Sequence, residues 1–314
     1  MAEHFSGEDA ALPDDSPGTV ATVGSFDGVH RGHRAVVQRV VARAADAGLR
    51  SLVVTFEPHP SEIVRPDRVP PLLTLPDERL EALAELGVDY CAVLPFTPEL
   101  AQYDAEAFVR LVLMPRFGMR ELLVGFDNGF GRDRAGPDVL RRLGGEIGFP
   151  VEVVEPVAFS DGERISSTAV RRAVSAGDLA RAAEGLGRAY SVSGAVIPGE
   201  QRGRTIGYPT LNLGAPHARK LLPPSGVYAV RAQTPSGVYG GMLNLGARPT
   251  IGDPALSLEA HLFDASGDWY GARVRLDFVS RLRDVKKFGG LDALREQLGR
   301  DERDARGALA AASA

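Results

Sequence analysis

Residues 18–33 read "GTVATVGSFDGVHRGH". A β-branched run, Thr19–Val23, meets a glycine-rich turn that carries two histidines three apart, and "RAVVQRVVARAADAG" follows at residues 34–48. In that following stretch Val36, Val37, Val40, Val41 and Ala44 recur at helical spacing, and Gly48 suits a left-handed stop. The order predicted is strand, turn, helix. Glycines at such a turn let the backbone approach a polyphosphate, and the free N–H groups of a helix start favour anions. Two imidazoles there, His30 and His33, can donate to phosphate oxygens as charge builds during substitution at phosphorus. An ordinary glycine turn with surface histidines is the other reading of a bare H-x-x-H. A zinc pair fits less well, because the glutamate of H-E-x-x-H is missing and no third ligand suggests itself.

Four more β-branched runs follow at similar intervals: "SLVVTF", "YCAVLP", "ELLVG" and "VEVVEP". Between them "LPDERLEALAELG" and "DAEAFVRLVLMPRFG" read as helices, each ending in glycine. This alternation over residues 18–155 predicts a parallel, doubly wound sheet covered by helices on both faces, with ligands beyond the carboxyl ends of its strands. After "GDLARAAEGLGRAY" the texture changes to short alternating runs with turn signals: "YSVSGAVIP", "YPTLNL", "GVYAVRA", "GGMLNLG", "LSLEAHLFD" and "ARVRLDFV". These predict an antiparallel β-barrel or sandwich, with "LDALREQLGRDERDARGALAAA" as a terminal helix. The expected division is a mobile acidic tail over 1–17, an α/β domain over 18–186 and a barrel domain over 187–314.

With 314 residues, 44% of them hydrophobic, the chain is long enough for two cores. A net charge of −5 gives no basic field, so neither nucleic acid nor an anionic membrane is an expected partner, and a phosphate ligand must be held locally. The single cysteine, Cys91, sits in the apolar run "DYCAVLP", which excludes an internal disulfide and a cysteine-rich zinc site. Neither a signal peptide nor a bilayer-spanning segment is visible, so a soluble cytoplasmic protein is expected.

Three further stretches carry chemistry in the first half. "TFEPHP", residues 55–60, ends the second strand in a proline loop. In "ISSTAVR", residues 165–171, Ser166 or Ser167 can cap a helix and Arg171 on its first turns can reach phosphates drawn to that end. "VGFDNGFGRDRAG" occupies residues 124–136. In the second half, "RGRTIGYPTLNLG", residues 202–214, places Thr210 and Asn212 on one face of a strand, where two hard oxygens suit magnesium that is also held by phosphates and water. Glu259 and His261 lie two apart in a strand pattern, and so on one face. A solvated strand face would look the same.

Taken together these strings resemble a known family. "GSFDGVHRGH" resembles the signature of the HxGH nucleotidylyltransferases, and in this extended form that of the adenylyltransferase module of the prokaryotic bifunctional riboflavin kinase/FAD synthetases. "TFEPHP" and "ISSTAVR" match further motifs of that module, while Asn128 stands where its G-x-D-F-x-F-G motif has an aromatic residue. "YPTLNL" resembles the riboflavin kinase signature G-x-PT-x-N, and "GGMLNLGARPTIG" and "LSLEAHLFD" follow in family order. Val285 replaces a glutamate of R-x-E-x-KF, and Ala265 a common aromatic.

The resemblance implies a Rossmann-like N-terminal domain that adenylylates FMN to FAD with release of pyrophosphate, and a C-terminal barrel that phosphorylates riboflavin to FMN. ATP, riboflavin and FMN are then the small-molecule substrates and Mg2+ the metal. It implies His30, His33, Arg171 and Glu259 as catalytic. Gly24, Phe26, Asp27, Gly28, Gly32, Ser166, Ser167, Gly203, Gly207 and Thr210 would bind ATP or phosphate. Asp127, Asn128, Asn244 and Arg248 would contact flavin, with Thr210 and Asn212 on the metal. Glu259 would accept the proton of the ribityl 5′-hydroxyl as it attacks the γ-phosphate. A paralogue of altered nucleotide or flavin specificity, and a flavin- or nucleotide-binding regulator with one degenerate site, are the alternatives.

Overall fold

The computed structural model describes residues 2–13, 15–127, 129–199, 203, 206–247 and 256–312. The chain divides into two compact units, Met1–Ser167 and Thr168–Ala314. In the first, strands β1 (Glu3–Ser6), β2 (Thr19–Val23), β3 (Arg50–Glu57), β4 (Tyr90–Pro95), β5 (Met119–Gly125) and β6 (Val151–Val154) form one sheet in the order β1-β4-β3-β2-β5-β6. Every neighbouring pair is parallel.

Strand side chains alternate between the two faces, and each face has its own helices. Leu52 and Val54 of β3 pack with the segment made of α4 (Ala105–Phe108), a π turn (Val109–Leu113) and α5 (Met114–Phe117), and with α6 (Pro137–Ile147). Val53 and Cys91 face the other way, against Val37 of α1 (Arg31–Ala47) and Ala82 and Leu83 of α3 (Pro76–Ala84). Burial on both faces explains why these strands read as unbroken apolar runs. Helix α1 buries Val36, Val37, Val40 and Ala44 and stops at Gly48, at φ 66°. Cys91 fills core space, and burial pushes its thiol pKa up to about 12.

The sheet is ordered outward in both directions from β2 and β5, so the switch between the two halves falls at the carboxyl end of β2. That is where the histidine turn begins. A short helix, α2 (Pro60–Val64), follows β3 and covers the same end of the sheet.

The N-terminal segment is not a free tail. Glu3–Ser6 pairs with Tyr90–Val93 as a sixth strand, and Phe5 sets its ring edge-on to Tyr90 at 5.5 Å. Behind it Ala10 enters the core, and its carbonyl accepts from Arg116 Nε. Four residues with one apolar side chain carry almost no strand pattern. Pairing with a buried neighbour makes the strand.

In the second unit, β7 (Tyr190–Ile197), β8 (Leu211–Leu213), β9 (Gly226–Thr234), β10 (Gly237–Ala247), β11 (Leu256–Leu262) and β12 (Arg273–Arg283) close an antiparallel barrel in the order β10-β11-β8-β7-β12-β9. The terminal helix α9 (Leu291–Ala311) lies on β9, β10 and β12 and buries Ala305 against Ala229, Met242 and Phe263. Asp301, 1% exposed, takes both arms of Arg283, at 2.8 and 2.6 Å. By contacts the division falls after Ser167, so that α7 (Ser167–Ala176) and α8 (Leu179–Leu186) group with the barrel. Helix α8 packs on β7 and β12, which the sequence reading placed across a domain border.

Phe5→Ala is expected to destabilise the first unit by about 1 kcal/mol through the lost aromatic pair and strand anchoring. Urea unfolding followed by far-UV circular dichroism checks this. An unchanged midpoint would mean that the strand adds nothing to the sheet.

Candidate functional sites

The turn after β2 is held in uncommon backbone geometry. Phe26, Gly28 and Val29 have φ of 48°, 85° and 43°. This brings the chain sharply round into α1, with His30 as the N-cap: its Nδ1 accepts from the His33 N–H at 3.3 Å. The accepting Nδ1 places the proton of a neutral His30 ring on Nε2. The His30 and His33 rings stack at 3.6 Å between centroids, and Phe26 meets His33 edge-on at 5.1 Å. A methyl on Gly32 would lie 3.1 Å from the His30 ring, so glycine there leaves the imidazole its place.

Several residues expected on phosphate do something else. Asp27 is fully buried, and its carboxylate accepts from Leu73 N, Thr74 N and Thr74 Oγ1 at 3.1, 2.9 and 3.2 Å. The Gly28 N–H goes to Thr74 Oγ1 at 2.9 Å, and Gly24 N–H to the Val54 carbonyl at 3.1 Å. Phe26 is core. The turn is therefore an internally bonded bracket, where the sequence implied free donors. Ser167 joins it by donating to the Asp27 carbonyl at 3.0 Å; Ser166 precedes it, and Arg171 lies one helical turn further along α7.

A cavity of about 550 Å³ opens beyond the carboxyl ends of β2 and β3. Val23, Gly24, Ser25 and Phe56 form its floor, Phe96, Tyr103, Phe108 and Phe130 add an aromatic wall, and Arg65, Arg132 and Arg134 bring positive charge. His59 also faces it, as N-cap of α2 with Nδ1 against Ser61 Oγ at 2.7 Å. Gly131, at φ 73°, cannot carry a side chain, since a Cβ would lie 2.5 Å from Ala105 N. Asp127, expected at the flavin, instead stands 64% exposed and 3.6 Å from Arg164, outside the described lining. Asn128 lies outside the described residues.

In the barrel, three sequence-distant residues line up. Register pairs Asn212 of β8 with Glu259 of β11, and Glu259 with Asn244 of β10. Directly paired residues share a face, so the three form one row across the outside of the barrel, while Leu211, Leu213, Leu258 and Ala260 fill its interior. Ser257 Oγ donates to Glu259 Oε1 at 2.7 Å and orients the carboxylate. His261 Nδ1 meets the Pro209 carbonyl at 2.8 Å, tying the strand beside Glu259 to the segment that presents Thr210. A Cβ on Gly203 would collide with the Tyr208 carbonyl, and Gly207 sits at φ 88°, so both glycines serve the turn before Thr210. Arg248 lies outside the described residues. Among the described residues no group of three or more His, Cys, Asp or Glu side chains is placed to hold a metal ion, and Thr210 and Asn212 offer hydroxyl and amide oxygens instead.

Comparison with known proteins agrees with two separate sites. Residues 12–169 match the family of FAD synthetase and residues 186–309 that of riboflavin kinase. A bifunctional riboflavin kinase/FMN adenylyltransferase of Pseudomonas fluorescens is 41% identical over 95% of this chain and 94% of its own. That of Escherichia coli K12 is 39% identical over 92% of each. The chain belongs to this bifunctional family. Among solved structures, one from Streptococcus pneumoniae described as a macrolide-efflux protein aligns at TM-score 0.85 and 30% identity, covering 98% of this chain and 99% of that one. Among the described residues no helix is long and apolar enough to cross a membrane.

The structure adds residues that the sequence reading did not name. Arg79, 2% exposed on α3, donates to the Ser25 and Phe56 carbonyls and to Glu57 Oε2 at 3.2, 2.9 and 3.2 Å. Thr74 and Gly199 are likewise new, the latter lacking a side chain where one would overlap Asn212. Their partners lie far away in sequence, so no local pattern marks them.

Asp27→Ala is expected to destabilise the first unit by about 2–3 kcal/mol, because it leaves three buried donors without their acceptor. Thermal melting of the full chain, with one transition lowered, checks the structural role. Loss of phosphate-ligand binding without loss of stability would return Asp27 to the ligand.

Proposed function

We propose that the turn at His30 and His33 and the row at Glu259 are the two reaction centres of a bifunctional enzyme, which phosphorylates riboflavin to FMN and adenylylates FMN to FAD. The observation that supports this reading is that each unit holds its own groups for chemistry at phosphorus. One has stacked imidazoles at a strand's carboxyl end; the other has a carboxylate facing an amide across a strand pair.

In the first unit, a phosphate oxygen of FMN attacks the α-phosphorus of ATP, the bond to the β-phosphate oxygen breaks, and pyrophosphate leaves. No covalent enzyme intermediate is needed. His30, through Nε2–H, and His33 donate to the phosphoryl oxygens as their charge grows. Ser166, beside the Ser167 that bonds to the turn, holds the triphosphate. The aromatic cavity with its three arginines suits a flat ring system that carries an anionic group. In this reading Asp27, Phe26, Gly24 and Gly28 shape the turn rather than touch phosphate.

In the second unit, the ribityl 5′-hydroxyl oxygen attacks the γ-phosphorus of ATP, its proton passes to Glu259, and the bond to the ADP oxygen breaks. Ser257 keeps the carboxylate turned for that proton. Thr210 and Asn212 would hold Mg2+, a fit supported by their hard oxygen donors beside the Glu259 carboxylate. When bound, the ion neutralises the polyphosphate charge. Gly203 and Gly207 let the preceding loop lie close to ATP, and Asn244 borders the flavin.

Incubation with riboflavin, ATP and Mg2+, followed by chromatography of the flavins, should give FMN and then FAD. Glu259→Gln is expected to cut FMN formation by about a hundredfold or more while FMN-to-FAD conversion persists. His30→Ala should do the reverse by a similar factor. A folded variant that loses both activities would overturn the division of labour.

A further inference from the structure

We infer that residues 73–79 position the adenylyltransferase site from outside it through Thr74 and Arg79. The inference rests on the activity proposed for the first unit.

Thr74 acts on the histidine turn. Its hydroxyl donates to Asp27 Oδ1 and accepts the Gly28 N–H, while the Leu73 and Thr74 N–H groups complete the Asp27 carboxylate. All of this is buried. It clamps the turn at Asp27 and Gly28, in a run where Phe26 and Val29 hold left-handed φ values. Such values are costly in residues other than glycine, and they persist only where surrounding bonds fix them. Val29 leads directly into His30, so the clamp sets where the stacked imidazoles stand.

Arg79 acts on the cavity. One guanidinium nitrogen binds the carbonyl of Ser25 and the other that of Phe56, two floor residues that lie on adjacent strand ends. The same second nitrogen reaches Glu57. A buried, planar, five-donor group can join two carbonyls and a carboxylate in this way; an ammonium on a flexible stem spans them less well. Arg79 thus fixes the spacing of the strand ends on which the ligand rests. The two residues divide the work: Thr74 governs groups that act in the transition state, and Arg79 governs the shape that binds the flavin.

Steady-state FMN adenylylation by the full chain separates these roles, with riboflavin phosphorylation by the same sample and thermal melting as controls of folding. Thr74→Val should lower kcat by about tenfold or more with KM for FMN within about twofold, whereas Thr74→Ser should stay within about threefold of the unaltered protein. Arg79→Lys should raise KM for FMN, and Kd from flavin-fluorescence titration, by about tenfold with kcat within about threefold. An unchanged kcat in Thr74→Val, an equal loss in Thr74→Ser, or an effect of Arg79→Lys on kcat alone would overturn the assignment. If Arg79→Lys melts the first unit, the Thr74 pair decides. Unaltered protein that forms FMN but never FAD would refute the activity assigned to the first unit, a different failure from that of the positioning role.

Discussion

The buried carboxylate of Asp27 is the constraint on which the N-terminal site depends. A carboxylate removed from water must find donors, and here two backbone N–H groups and a hydroxyl from residues 73 and 74 supply them. Because those donors belong to a distant part of the chain, satisfying the charge also fixes the turn that carries His30 and His33. Geometry at the reacting groups thus follows from a desolvation requirement several ångströms behind them. The histidines need little else: the first caps α1 with the nitrogen that is not used for donation, and the second stacks upon it.

The barrel reaches the same end by register. Side chains on neighbouring antiparallel strands face the same way only at paired positions, and a slip of one residue would move Glu259 into the apolar interior. The Leu258 and Ala260 neighbours, together with Leu211, Leu213, Leu243 and Leu245, forbid that slip because each would be driven to the outer face. The hydrophobic interior therefore aligns Asn212, Glu259 and Asn244 on the outer face. Helix α9 covers Met242 on the outside of β10, two residues from Asn244, and its buried Arg283–Asp301 pair anchors it to β12.

Much of this was legible before any coordinates. Continuous β-branched runs marked β2 to β6, strict alternation marked the six barrel strands, and the glycines at 48 and 118 stopped helices at left-handed φ. The order of the motifs fixed which half carried which chemistry. What escaped was whatever depends on partners far along the chain. Strand β1, "EHFS", has no pattern of its own and exists because β4 offers an edge. Arg79 reads as a surface residue of an amphipathic helix, yet it lies buried because three acceptors converge on it. Asp27 sits inside a signature string, so a motif reading assigns it to the ligand, while burial assigns it to the scaffold.

Residues inside a functional motif therefore divide into those that touch substrate and those that hold the others still, and sequence cannot separate them. Burial and bond direction can. Among "FDGVHRGH", Phe26 and Asp27 face the core, Gly28 gives its N–H to Thr74, and His30 and His33 stack on each other at the start of α1. The same sorting applies to "EAHL": Ala260 and Leu262 fill the interior, His261 holds the Pro209 carbonyl, and Glu259 takes the Ser257 hydroxyl on the outer face. A motif is long because a few groups need many fixed neighbours, and the neighbours in turn need partners far along the chain, such as Thr74 and Arg79.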